Sequence, residues 1–144
     1  MIKALIFDMD GVLIDSEVHW KKAELAFFQQ WIPHWSKKDQ GKLLGMNIAD
    51  THQLLTKEYG FKLPQKDFLK AINVIADEIY AKKTKLLDGC MDLIQSLKGI
   101  VLMGMASSAL RRWIKPVSKR FRLDTLFDAI VSSEDVKGPG KPAP

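Results

Sequence analysis

Lys3-Ala-Leu-Ile-Phe-Asp8-Met-Asp10-Gly11-Val-Leu-Ile-Asp15-Ser-Glu17 decides the fold of this chain. A short apolar run leads into two carboxylates, a glycine and a third carboxylate. Such a run, stopped by a glycine-bearing turn, predicts a buried strand of a parallel sheet over residues 2–8. Extended geometry kept to residue 10 would point Asp8 and Asp10 to the same side. Open α/β sheets place their ligands at the carboxyl ends of such strands. A carboxylate there can act as a nucleophile and carry a phosphoryl group as an acyl phosphate. A second carboxyl beside it is driven toward a raised pKa by the like charge, which suits a general acid and base. Clustered oxygens suit Mg²⁺, a hard ion held by one or two carboxylates together with phosphate oxygens. Gly11 permits a turn whose N–H groups face an anion. An EF-hand loop would need a third acid and a glycine at its fifth and sixth positions. Counted from Asp8, those places hold Val12 and Leu13.

Composition narrows the class. The chain has 144 residues, 47% hydrophobic and 27% charged, which fits a globular domain large enough for a core. The net charge of +5 mildly favours anionic partners, although a lysine-rich solvated surface explains most of it. No basic block is interleaved with aromatics, so nucleic acid is not an expected partner. The single cysteine, Cys90, rules out an internal disulfide framework and suits a reducing compartment. It reads as a small apolar residue at a helix start. No signal peptide or membrane-length apolar run is present, so the expected location is cytoplasmic.

From Ser16 the apolar period becomes helical. Ser16 is the expected N-cap of a helix running to Pro33. Further helices are expected over 36–44, 48–59 (with Asn47 as its cap) and about 66–83. Residues 16–84 thus form an all-helical insertion between a core of residues 1–15 and 85–144. The return brings a short helix over 91–97, an apolar strand over 100–106 ending in Ser107-Ser108, and a helix from near Ala109 that Pro116 kinks or interrupts. A helical turn over 123–127 and a strand over 129–132 follow. The predicted class is α/β, a Rossmann-like parallel sheet joined by right-handed crossovers. Ser107, with the N–H groups opening the next helix, can hold phosphate, and either serine can simply cap that helix.

Asp8-Met-Asp10-Gly11-Val-Leu-Ile-Asp15-Ser-Glu17 resembles the first motif of the haloacid dehalogenase superfamily. The nearest branch is that of small-sugar phosphatases and β-phosphoglucomutase. The resemblance implies that Asp8 is the nucleophile and a Mg²⁺ ligand. It makes Asp10 the acid/base, with its main-chain carbonyl also on the metal. It implies a small phosphorylated metabolite, a sugar phosphate, as substrate. The helical insertion matches this branch's cap, which closes over the site and selects the substrate. Ser107 becomes a phosphate ligand, with Ser108 contributing through its backbone. Lys141, in Gly140-Lys141-Pro142-Ala143-Pro144, resembles the third motif's lysine, a compact charge for phosphoryl oxygens. Met46 and Asn47 fall where the family places a cap loop reaching toward the catalytic centre. Trp20 could line the site, whereas Trp31 and Trp35 read as core. His34 and His52 read as surface or packing residues.

Two departures matter. The resembled family continues to an acidic fourth motif, whereas this sequence stops at Pro144. The expectation is therefore an N-terminal portion with an incomplete metal site, whose open sheet edge invites self-association. In the mutase a histidine lies five residues beyond the aspartate matching Asp15, and here that place is Trp20. Three readings stand: a Mg²⁺-dependent phosphatase (the leading one), a sugar-phosphate mutase, and a catalytically incomplete fragment that binds phosphate or only associates.

Overall fold

The structure, a computed structural model, describes residues 2–43, 46 and 48–137. It divides into two compact units, one of residues 1–17 and 79–144 and the other of residues 18–78.

The first unit is α/β. Strand β1 (Ala4–Phe7), helix α5 (Cys90–Leu97), strand β2 (Leu102–Ala106), helix α6 (Arg111–Phe121), short helix α7 (Leu123–Leu126) and strand β3 (Ala129–Val131) follow one another. The strands lie in the order β1-β2-β3, all parallel, with β2 central. Leu5 pairs with Met103, and Phe7 with Met105, which in turn pairs with Ile130. Met103 and Met105 are buried on this face, with Ile94, Trp113, Ile114 and Val117 also in the core. The opposite face carries Ile6 and Leu102, 78% and 62% exposed. The expectation of fully buried strands therefore holds on one face only. The strand order advances in one direction, so two right-handed crossovers set α5 and α6 on the same side.

Element ends differ from the sequence reading in instructive ways. Strand β1 stops at Phe7 rather than at residue 8. Helix α6 starts at Arg111 and runs through Pro116 uninterrupted. Its buried residues Trp113, Ile114 and Val117 supply packing that outweighs the missing N–H.

The second unit is helical. Most of α1 (Ser16–Gln29) belongs to it, with α2 (Lys37–Gln40), α3 (Ile48–Tyr59) and α4 (Gln65–Glu78). The expected second helix is shorter than read, a single α turn followed by a 3-10 turn over Gly41–Leu43. The expected fourth helix ends at Glu78 and gives way to a π-helical turn, Ile79–Lys83. The core of this unit is Phe28, Ile32, Trp35, Leu55, Phe61, Phe68 and Ile72. Phe28 sits at its centre, with ring centroids 5.0 Å from Trp35 and 6.1 Å from Phe68. Trp35 is buried as expected, but Trp31 is 43% exposed and only its edge meets Phe61. His52 is a packing residue: its Nε2 lies 2.8 Å from the Leu63 carbonyl, and its ring meets Phe61 and Phe68.

Candidate active site

The site begins where β1 ends. Asp8 follows Phe7 directly, and the chain then turns rather than continuing extended. Leu13 and Ile14 N–H groups donate to the Met9 carbonyl at 2.9 and 3.1 Å, and Gly11 N–H donates to the Ile14 carbonyl at 2.9 Å. Met9, Leu13 and Ile14 are fully buried and anchor this turn. Gly11 adopts φ +72°, a left-handed conformation that favours glycine, and a Cβ there would lie 3.0 Å from Glu17 Oε1, the movable end of an exposed side chain. A tight turn, and not two residues of extended strand, therefore sets Asp10 beside Asp8.

The turn is tied to the returning chain. Asp15 N–H donates to the Lys85 carbonyl at 3.1 Å, and Lys85 N–H donates to Asp15 Oδ1 at 2.6 Å. Leu87 N–H reaches the Leu13 carbonyl at 3.0 Å. Asp15 thus clamps the two crossing segments together.

Asp10 gathers three hydroxyls. Ser16 Oγ donates to Oδ1 at 2.6 Å, Tyr80 Oη donates to Oδ1 at 2.9 Å, and Ser107 Oγ donates to Oδ2 at 3.3 Å. Burial pushes the Asp10 pKa above its ordinary value, the hydroxyls oppose the rise, and the Asp8 charge adds to it. The direction agrees with the sequence argument, but burial and not the neighbouring carboxylate is the larger cause.

Ser107 is buried at the end of β2, with its N–H donating to the Val131 carbonyl at 3.0 Å. Its hydroxyl accepts from Ala109 N–H at 3.0 Å, two residues on. This local turn replaces the expected helix cap, because α6 begins later, with Leu110 as its N-cap residue. Arg111 N–H donates to Glu134 Oε2 at 2.6 Å, and the Arg111 guanidinium pairs with Asp135. A carboxylate therefore already occupies the start of α6. The anion-binding potential here rests on the Ser107–Ala109 turn instead. Ser108 is exposed beside it.

The remaining expected residues lie elsewhere. Trp20 is half-buried and packs against the aromatic cluster of the helical unit. Met46 N–H donates to the Leu43 carbonyl at 3.1 Å. Asn47 and Lys141 fall outside the described residues.

Sequence reasoning missed Tyr80, Ser16 and Arg120. Tyr80 read as part of an apolar helix face and Ser16 as an N-cap, yet both donate to Asp10. The Arg120 guanidinium donates to the Ala81 carbonyl at 2.8 Å and the Thr84 carbonyl at 2.7 Å, fixing the segment that presents Tyr80. No local signal reveals the Tyr80 contact, since 70 residues separate it from Asp10, whereas Ser16 lies only six residues on.

The donor set suits a hard cation. Asp8 and the main chain at Asp10 are the groups that would hold Mg²⁺, an ion that takes most of its ligands from carboxylates, water and phosphate oxygens. The Asp10 carboxylate is itself taken up by hydroxyls, which leaves its carbonyl as the better ligand. Among the described residues no group of three or more His, Cys, Asp or Glu is placed to hold a metal.

A parallel sheet with paired acids at one strand end and a buried serine at the next makes an α/β protein with a polar site at the carboxyl ends of its strands. Residues 5–144 match the family described as haloacid dehalogenase-like hydrolase, and the chain belongs to it. It is 30% identical over 136 residues to hexitol phosphatase B of Escherichia coli (strain K12), covering 92% of this chain and 61% of that protein. It is 24% identical to the phosphorylated carbohydrates phosphatase of Thermotoga maritima, covering 99% of this chain and 66% of that protein. A crystal structure described as "a predicted phosphoglycolate phosphatase" from Haemophilus somnus shares the fold. The TM-score is 0.79 at 17% identity, over 98% of this chain and 66% of that one. The chain thus spans less than two thirds of the length of these relatives. Among the described residues no helix is long and apolar enough to cross a membrane.

Proposed function

We propose that the chain carries the catalytic acids of a Mg²⁺-dependent phosphatase that hydrolyses a small phosphorylated carbohydrate through an aspartyl phosphate. One observation carries this reading: Asp8 and Asp10 stand together at the end of β1, with Ser107 from the end of β2 3.3 Å from Asp10. The Asp8 carboxylate attacks phosphorus, and the bond to the leaving oxygen breaks. Asp10 gives its proton to that oxygen, and burial favours the protonated form it needs. Asp10 then takes a proton from water, which attacks the aspartyl phosphate and releases inorganic phosphate. Ser107 Oγ and the neighbouring N–H groups orient the phosphoryl oxygens, with Gly11 keeping the turn open and Ser108 and Lys141 assisting. Asp8 and the Asp10 carbonyl would hold Mg²⁺, whose chemistry is to neutralise phosphoryl charge.

The names of the hexitol and carbohydrate phosphatases support a sugar phosphate or polyol phosphate as substrate. We assign the helical unit the role of cap, with Met46 and Asn47 in its substrate loop. Trp20 brings no acid or base, and its packing in the aromatic cluster favours hydrolysis over the mutase reaction. The cytoplasm is the proposed location, supported by the lone buried thiol of Cys90. The outer edge of β1, unpaired among the described residues, is the proposed route of any self-association.

The test is Mg²⁺-dependent phosphate release from p-nitrophenyl phosphate and from hexitol phosphates by this chain. Asp8→Asn is expected to lower the rate by at least about 10³-fold, and EDTA is expected to abolish it. Unchanged release in the Asp8→Asn protein would refute the assignment.

A further inference from the structure

Tyr80 reaches Asp10 from an unusual platform. It lies in the π-helical turn Ile79–Lys83, a rare geometry that occurs mostly as single turns and is frequent at functional sites. Its ring is buried and stacks on Trp113, with centroids 5.7 Å apart and planes 16° from parallel. Arg120 holds the carbonyls of Ala81 and Thr84 on the same segment. The phenol oxygen is therefore fixed from two sides before it donates to Asp10.

The two oxygens of Asp10 are not equivalent. Oδ1 accepts from both Ser16 and Tyr80, at 2.6 and 2.9 Å, which fills the two acceptor positions of a carboxylate oxygen. Among the described residues, Oδ2 has only the longer contact from Ser107, at 3.3 Å. Ser107 has one hydroxyl proton, which cannot serve Asp10 and a phosphate oxygen together. Once that proton turns to phosphate, Oδ2 is released while Oδ1 stays pinned.

We propose that Tyr80 is a positioning residue: with Ser16 it anchors Oδ1 of Asp10, so that the proton moves on Oδ2 once Ser107 turns to the phosphate. The proposal rests on the phosphatase reading and adds to it the residue that orients the acid. The acid matters most when the leaving group is poor. An alkoxide needs the proton to depart, whereas p-nitrophenolate departs without one.

The experiment compares wild type, Tyr80→Phe and Ser107→Ala. Rapid quench measures the first turnover, in which the leaving group departs, on a hexitol phosphate and on p-nitrophenyl phosphate. Tyr80→Phe is expected to slow hexitol release roughly tenfold with KM unchanged. Its p-nitrophenol burst is expected to slow by less than about twofold. Calorimetry with inorganic phosphate and Mg²⁺ is expected to give Tyr80→Phe the wild-type affinity, whereas Ser107→Ala binds more weakly. Equal slowing on both substrates, no slowing on either, or phosphate affinity lost as in Ser107→Ala would each overturn the proposal. Wild type that binds phosphate but releases neither leaving group would instead overturn the phosphatase reading beneath it.

Discussion

The helical unit and the strand ends of the sheet unit use burial for opposite purposes. In the helical unit Phe28, Trp35, Leu55 and Phe68 are almost fully enclosed, and ring packing accounts for its centre. At the strand ends Ser16, Ser107 and Tyr80 are buried and Asp10 is partly buried among their hydroxyls. Aromatic burial stabilises roughly in proportion to area. Burying a carboxyl costs stability unless hydrogen bonds offset it, and the three hydroxyls around Asp10 do so in part. The first region is built for stability, and the second holds a carboxyl whose pKa burial raises above its ordinary value.

The contrast can be broken most severely at Phe28. Phe28→Ala removes the ring that touches Phe27, Trp35, Phe61 and Phe68. The expected cost is about 3–5 kcal/mol, read by urea unfolding. A cost under about 1 kcal/mol would mean that the cluster is not the centre of that unit.

A smaller effect is expected at the turn. Gly11→Ala must place a side chain at φ +72° and within 3.0 Å of Glu17 Oε1. The backbone strain alone costs about 1–2 kcal/mol. Activity is expected to fall further than stability, because the same turn sets Asp10. Comparison of thermal melts with phosphate release checks this, and loss of stability with full activity would contradict it.

The smallest effect sharpens the comparison within the helical unit. Among the described residues Glu24 has a long contact from Gln40 Nε2, at 3.5 Å, and burial raises its pKa above the ordinary 4.5. A raised carboxyl pKa means that the folded state prefers the protonated form. Its stabilising contribution is full below the unfolded value and is lost as pH rises through the folded one. Wild type should therefore lose thermal stability relative to Glu24→Gln as pH rises above the ordinary 4.5. A pH-independent difference, or one of opposite sign, would show that Glu24 is not desolvated.

How much was legible in the sequence follows the same division. Ile48–Tyr59 could be read to the residue, because helical periodicity is local and its apolar face meets a core. Asp8, Asp10 and Ser107 could be named because strand ends and glycine turns mark them. The partners of Asp10 could not. Tyr80 is apolar in pattern and distant in sequence, and the π-helical turn that presents it leaves no periodic trace. Ser16 carries a capping signal that its hydroxyl does not obey. The bare face of the sheet was equally hidden, since Ile6 and Leu102 look like core residues until strand order shows which face the helices take.

The central claim is that Asp8 forms the phosphoryl bond. The direct measurement is to quench turnover of a sugar phosphate, reduce the chain with borohydride, and map the product by mass spectrometry. An aspartyl phosphate is reduced to homoserine, so the account predicts homoserine at position 8 only, absent when substrate is withheld. Sustained turnover with an unmodified Asp8, or with the modification at Asp10 or Asp15, would contradict it.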